Sequence, residues 1–210
     1  MTVVAVFVGA PRTVEAGGSR VYTGGAKEAV PAAFLTVDGF TGDGQADLRH
    51  HGGRDRAACV YPAEHYRWWA AQGTPLAPGA FSENLLIEQA LEGEIFIGDV
   101  FRIGKAVAQV SLPRDPCRTI DRLTGVPGLH GRMRESGRCG FHMRTLQPGE
   151  VRAGDTADLV QRASHGITVS AVLDLYHGRS LDRELFRRLE ALPEFAEQGK
   201  RDIGRRLARG

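Results

Sequence analysis

The chain has 210 residues, 42% of them hydrophobic, and carries a formal net charge of +2. That is enough apolar material for one sizeable core plus a small appendage, and too little charge to argue by itself for a nucleic-acid or membrane partner. Three cysteines (Cys59, Cys117 and Cys139) make a poor disulfide framework, and no segment approaches the roughly 18 consecutive apolar residues of a membrane span, so a soluble, cytoplasmic protein with reduced thiols is expected.

In chain order, Val3–Val8 reads as a strand closed by Gly9-Ala10-Pro11; with six residues and no preceding basic residue it does not fit a signal peptide. Ala33–Val37 is a second strand, followed by a turn rich in glycine and aspartate over Gly39–Asp47. After His50-His51-Gly52-Gly53 comes a short apolar strand, Ala57–Tyr61. Pro62 suits the first position of a helix over Ala63–Ala71, stopped by Gly73. Asn84–Ile87, Ile95–Ile97, Val100–Ile103 and Ala106–Leu112 are short, rich in β-branched residues and closely spaced, which suggests a barrel or sandwich. Gly128–Glu135 is weakly helical, and Gly140–Leu146 and Asp158–Arg162 are later strands. After Ser164 the periodicity becomes helical over Thr168–Tyr176, Leu181–Leu192 and Glu194–Leu207, with Ser180 as an expected N-cap. The expected organisation is a mainly β domain over 1–164 and a three-helix segment over 165–210, too small to stand alone and expected to dock on the sheet.

Charge is unevenly placed. Residues 111–144 hold seven arginines against Asp115, Asp121 and Glu135, an excess that suits an anion site or a solvated basic face. Within this stretch Pro113 and Pro116 stiffen the backbone before Cys117, and Arg114 and Arg118 flank it. Nearby cations favour thiolate, which is both a nucleophile and a soft metal ligand; a buried structural cysteine is the alternative. Gly52-Gly53 permits close backbone approach to an anion, with Arg54 and Arg56 directly after, or forms only a tight loop with solvated histidines. Asn84 opens a strand and either donates to a ligand or caps a turn. Cys139 and His142 form a Cys-x-x-His pair, but no Cys-x-x-Cys exists and the spacing fits no common zinc module. A Cys-His hydrolase built on Cys117 remains open, with no particular histidine selected.

Taken together, several segments resemble the MOSC family, named for the C-terminal domain of molybdenum cofactor sulfurase, in its bacterial YiiM-like branch. They are His51-Gly52-Gly53 with Asp55-Arg56-Ala57 and Tyr61-Pro62; Phe81 with Glu83-Asn84-Leu85; Ile97-Gly98-Asp99; and Gln109-Val110-Ser111 running into Pro113-Arg114 and Pro116-Cys117. They span about 50–118, a weaker match continues to about 162, and the helical tail looks like the segment appended in that branch. Ser82 departs from the pattern, standing where the family usually has glycine.

The resemblance implies a β-barrel MOSC fold and a pterin-based molybdenum cofactor with Cys117 bonded to the metal. It further implies reduction of N-hydroxylated compounds of the hydroxylaminopurine type, with electrons from a separate donor protein because the chain shows no Gly-x-Gly-x-x-Gly loop or cysteine cluster. Arg56, Arg114 and Arg118 would hold the cofactor phosphate or the charge near the metal. Backbone groups of Gly52 and Gly53 and the Asn84 amide would orient the pterin, and His51 is the best candidate acid. The alternative is a non-catalytic cofactor or sulfur carrier. A homodimer is compatible with the sequence. The tail carries ten basic against seven acidic residues over 161–210, which fits a solvated face or a protein-docking surface better than a nucleic-acid site.

Overall fold

The computed structural model describes residues 1–208, with the side chain of His50 excepted. That side chain, part of the His-His-Gly-Gly motif, and the last two residues of the tail lie outside the described residues.

The architecture is mixed, with a large sheet at its centre. Strands β1 (Thr2–Val8), β4 (Glu28–Val30), β7 (Ala58–Pro62), β8 (Leu85–Glu88), β9 (Val100–Ile103), β10 (Ala106–Pro113), β11 (Phe141–Gln147) and β13 (Ala157–Gln161) form it. Their order is β13-β9-β10-β11-β7-β8-β1-β4. Every pairing is antiparallel except β7 with β8. That parallel pair needs a crossover, supplied by helix α2 (Glu64–Ala71). All five residues of β7 are buried, as expected for a central strand covered on both faces. A small sheet of β12 (Gly149–Arg152), β5 (Ala32–Thr36) and β6 (Gly39–Phe40) packs alongside. The large sheet curls without closing into a full barrel. β1, next to the edge strand β4, meets the segment before β13 at one isolated bridge, Thr2 to Thr156, with Val3 N–H donating to the Asp155 carbonyl at 2.9 Å.

Four local outcomes differ from the sequence reading. Ile95–Ile97 is no strand: Asp99 Oδ2 accepts from the Phe96 amide at 2.9 Å and curls the segment back on itself, leaving a single bridge to Thr168. Arg12–Ala16 and Ser19–Thr23 form a hairpin, β2–β3, turned by Gly17-Gly18 at φ 57° and 75°. Paired positive φ is the requirement of a two-residue hairpin turn, and Gly-Gly meets it. The hairpin is largely exposed, so it lacks the alternating apolar face that marks a strand in sequence. Pro62 ends β7 instead of starting the helix. Short helices α1 (Leu48–His51) and α3 (Thr119–Thr124) flank the two motifs of interest.

The remaining helices are α4 (Leu129–Ser136), α5 (Val169–His177), α6 (Arg183–Glu190) and α7 (Glu197–Leu207). The cap of α6 is Asp182, two residues beyond the expected Ser180, because Asp182 Oδ1 reaches the amides of Glu184 and Leu185, both at 2.9 Å. The tail docks as its size requires. Leu173, Leu175, Leu189, Ile203 and Leu207 join the same buried cluster as the sheet residues, and Ala196 N–H donates to the Ser111 carbonyl at 3.0 Å.

Candidate functional site

A cleft of about 240 Å³ opens where the ends of β7, β10 and β11 meet the glycine-rich segments of the N-terminal part. Its floor is Cys59, Asn84, Arg114 and His142. Cys117, Thr119 and Ile120 form one wall. A second wall is Tyr22 to Gly25 and the loop Asp43 to Asp47, and His51 and Arg56 also line the cleft.

Cys117 follows β10 by four residues. Burial by itself would push its thiol up. Hydrogen bonds to the sulfur from His51 and from the Thr119 hydroxyl and amide outweigh that and bring it down to about 6. These contacts favour the thiolate over the thiol. The other two cysteines go the opposite way. Desolvation raises both Cys59 and Cys139, and the Cys139 thiol donates to the Met133 carbonyl at 3.3 Å. The Cys139–His142 pair is thus divided: Cys139 is bound into the core and His142 faces the cleft. Among the described residues no group of three His, Cys, Asp or Glu is placed to hold a bare metal ion.

Arg114 is 8% exposed, and its Nη1 is buried without a hydrogen-bond partner. A guanidinium cannot shed its charge, so this is a buried cation presenting an unused donor. Nearby, burial raises Glu83, whose Oε1 accepts from Tyr66 Oη at 2.6 Å and the Gly79 amide at 2.8 Å. His142 has a buried, unpartnered Nδ1. Burial, reinforced by Arg56, Arg114 and His51, lowers its pKa far enough to keep the ring neutral.

Asn84 lines the cleft and is also bonded within the protein. Oδ1 accepts from the Cys59 amide at 3.1 Å, and Nδ2 donates to the Phe7 carbonyl at 3.2 Å and to Asp43 Oδ2 at 2.9 Å. Asp43 Oδ1 in turn accepts from the Gly9 amide at 2.9 Å and pairs with the buried Lys27. Asn84 therefore knits the floor to the N-terminal wall. Ser82, just before it, adopts φ 59°, the left-handed region that glycine enters freely, which is the physical content of the glycine expected there. In the N-terminal wall Gly24 allows no side chain, since a Cβ would lie 1.8 Å from the Gly44 carbonyl oxygen.

The expected site residues separate. Cys117, His51, Arg56 and Arg114 meet in the cleft. Arg118 does not: it is exposed at the start of α3 and outside the lining. Gly52 and Gly53 also lie outside the lining. The Gly52 amide donates to the Leu48 carbonyl at 3.2 Å and closes α1, and Gly53 at φ 103° redirects the chain so that His51 and Arg56 both reach the cleft. Sequence reasoning missed Tyr22, Lys27, Asp43, Cys59 and His142. The only available signal was weak: antiparallel pairing of β7 with β11 sets Cys59 opposite His142, a register unknown before the fold.

Cys117, its thiol lowered, thus lines one cleft with the buried cation Arg114 and with His142, whose imidazole burial holds toward its neutral form. The chain belongs to the MOSC domain family, whose description matches residues 47–158, and residues 167–210 match the YiiM-like 3-alpha helix domain. It is 42% identical over 170 residues to the uncharacterized protein YflK of Bacillus subtilis, covering 80% of this chain and 77% of that one. It is 32% identical over 165 residues to a protein named reductase from Gibberella moniliformis, covering 76% of this chain but 29% of that longer one. The crystal structure of YiiM from Geobacillus stearothermophilus superposes with a TM-score of 0.82 at 27% identity over 98% of both chains. The wall containing Tyr22, Lys27 and Asp43 precedes the residues matched to the MOSC domain.

Among the described residues, no helix is long and apolar enough to cross a membrane.

Proposed function

We propose that the chain binds a pterin-based molybdenum cofactor through Cys117 and reduces N-hydroxylated substrates of the hydroxylaminopurine type, with electrons from a separate donor protein. The observation that carries the reading is that Cys117 and the buried Arg114, whose Nη1 has no partner, line one cleft, with the Cys117 thiol brought down to about 6. One protein sulfur with no surrounding ligand set among the described residues suits a metal that arrives with ligands of its own. An unpaired guanidinium suits the phosphate of such a cofactor. Family membership and a reductase among the relatives support the same assignment.

In this reading Cys117 is the metal ligand, and Arg114 and Arg56 hold the phosphate end. When bound, the cofactor supplies a two-electron couple that removes oxygen from nitrogen. The overall change, R–NHOH with two electrons and two protons giving R–NH2 and water, needs a proton source. His51, an exposed residue that lines the cleft with Cys117, would deliver one and recover it from solvent. His142, held toward its neutral form, lines the same cleft and would offer its unpartnered Nδ1 as an uncharged hydrogen-bonding group. Asn84 acts through Asp43 and the Cys59 amide, keeping the two walls in register.

The test is production in a host that makes the cofactor, followed by molybdenum and pterin analysis of wild type and Cys117→Ala. Equal molybdenum in both overturns the ligand assignment. Turnover of a hydroxylaminopurine with a chemical reductant supports the reductase; bound cofactor with no turnover, even with reductase fractions added, supports the carrier.

A further inference from the structure

Two side chains from outside the cleft lining, Arg134 and His177, converge on the loop that carries Cys117. Asp115, two residues before the cysteine, accepts from Arg134 Nε at 2.8 Å and Arg134 Nη2 at 3.1 Å, a two-pronged contact. The same Nη2 donates to the Pro116 carbonyl at 3.0 Å, so Arg134 grips both a side chain and the backbone of the loop. His177, at the C-terminal end of α5, stands with Nε2 3.4 Å from Asp115 Oδ1. Its tautomer follows from its other neighbour. Arg179 Nη1 lies 3.3 Å from His177 Nδ1, and a guanidinium only donates, so Nδ1 is the acceptor and Nε2 carries the hydrogen that points at Asp115.

The remaining contacts secure this arrangement. Arg179 also donates to the Arg134 carbonyl and, through Nε at 2.7 Å, to Asp174. From α7, Arg206 donates to the His177 carbonyl at 2.9 Å. Gly178 makes room for it, since a Cβ there would come within 2.5 Å of Arg206 Nη2. The carbonyl end of a helix is electronegative and would repel a carboxylate, and His177, Arg179 and Arg206 are what allow Asp115 to sit beside it. Side chains of Asp115 and Arg134 are 43% and 40% exposed, a setting in which an ion pair contributes little to stability. The convergence therefore acts on geometry.

We infer that the C-terminal helices are a positioning element for the cleft: His177, with Arg134, holds the Asp115–Pro116 backbone so that Cys117 keeps its place in the cleft lining beside His51 and Thr119. The inference rests on Cys117 being the functional thiol of the proposed activity.

The experiment uses the full chain and three variants, Arg134→Ala, His177→Ala and His177→Gln. Arg132→Ala serves as control, because Arg132 lies on the same helix but bonds Thr74 Oγ1 instead. The alkylation rate of Cys117 by iodoacetamide is followed site by site at one fixed pH, beside thermal melting and molybdenum retained per chain. Arg134→Ala should change the alkylation rate by about fivefold or more while the melting midpoint stays within about 3 °C of wild type. His177→Ala should move the rate in the same direction, and His177→Gln, which restores an amide donor, should recover part of it. Molybdenum retention should fall with the same ranking. A rate within about twofold of wild type in both alanine variants, or no greater effect than Arg132→Ala, overturns the inference. If the rates shift as expected but wild type retains no molybdenum, positioning stands and the cofactor reading falls.

Discussion

Replacing Arg114 with methionine should move two quantities in opposite directions. The guanidinium is 8% exposed with Nη1 unpartnered, and burial holds its ionisable neighbours Cys59 and Glu83 toward their neutral forms. Without ligand, the protein thus carries a desolvated cation lacking a hydrogen-bonded anion. Substituting an apolar side chain of similar length should stabilise the ligand-free fold by about 1–3 kcal/mol, the range seen when buried ions give way to well-packed hydrophobic groups. For a chain of this size that is a rise of roughly 3–10 °C in melting midpoint. The same change deletes charge-assisted hydrogen bonds to a bound phosphate, about 1.5–3 kcal/mol or roughly 10–150-fold in affinity. The assay is thermal melting of protein from a host lacking the cofactor, with and without added inorganic phosphate, and molybdenum content from a competent host. A lower midpoint in the ligand-free variant would mean that Arg114 is already balanced within the protein. Joined to an unchanged phosphate response, it would refute the anion-site argument.

Other outcomes follow from the same geometry. Alkylation of Cys117 should rise with pH around a midpoint near 6, and His51→Ala should move the midpoint upward by deleting the first of the hydrogen bonds that hold the sulfur down. The thiol has an unfolded value near 9 and a lowered folded value, so its contribution to stability is full above about 9 and is lost as pH falls through about 6, measurable by denaturant titration at several pH values. Asn84→Ala strands the Cys59 amide and the Phe7 carbonyl in a buried setting, and should lower stability by about 2–4 kcal/mol in urea unfolding. Ser82→Gly relieves a left-handed backbone costing about 1–2 kcal/mol against a glycine entropy cost of about 0.5–1 kcal/mol. It should therefore stabilise slightly, by about 0.5–1 kcal/mol, and a loss of stability would show that the Ser82 hydroxyl supports the wall at Gly25.

What could be read from the residues in order was whatever is coded locally. The β-branched runs of β1, β7, β9 and β10 and the helical spacing of α5 to α7 are local patterns, and the fold agrees with them to within a few residues. Cys117 stood out because two prolines and two arginines surround it within a few positions. The structure then kept Arg114 and moved Arg118 to the surface, a choice sequence cannot make, because the two differ only in which side of a turn they leave. Asn84 was legible as important but its role was not, since its partners, Phe7 and Asp43, lie 77 and 41 positions away. Cys59, His142 and Lys27 entered the cleft only through sheet register and loop packing, and His177 reached the cysteine loop only because the tail docks where it does. Motif and periodicity are short-range properties of the chain; a cleft is made by residues brought together across it, and only the tertiary fold decides which ones meet.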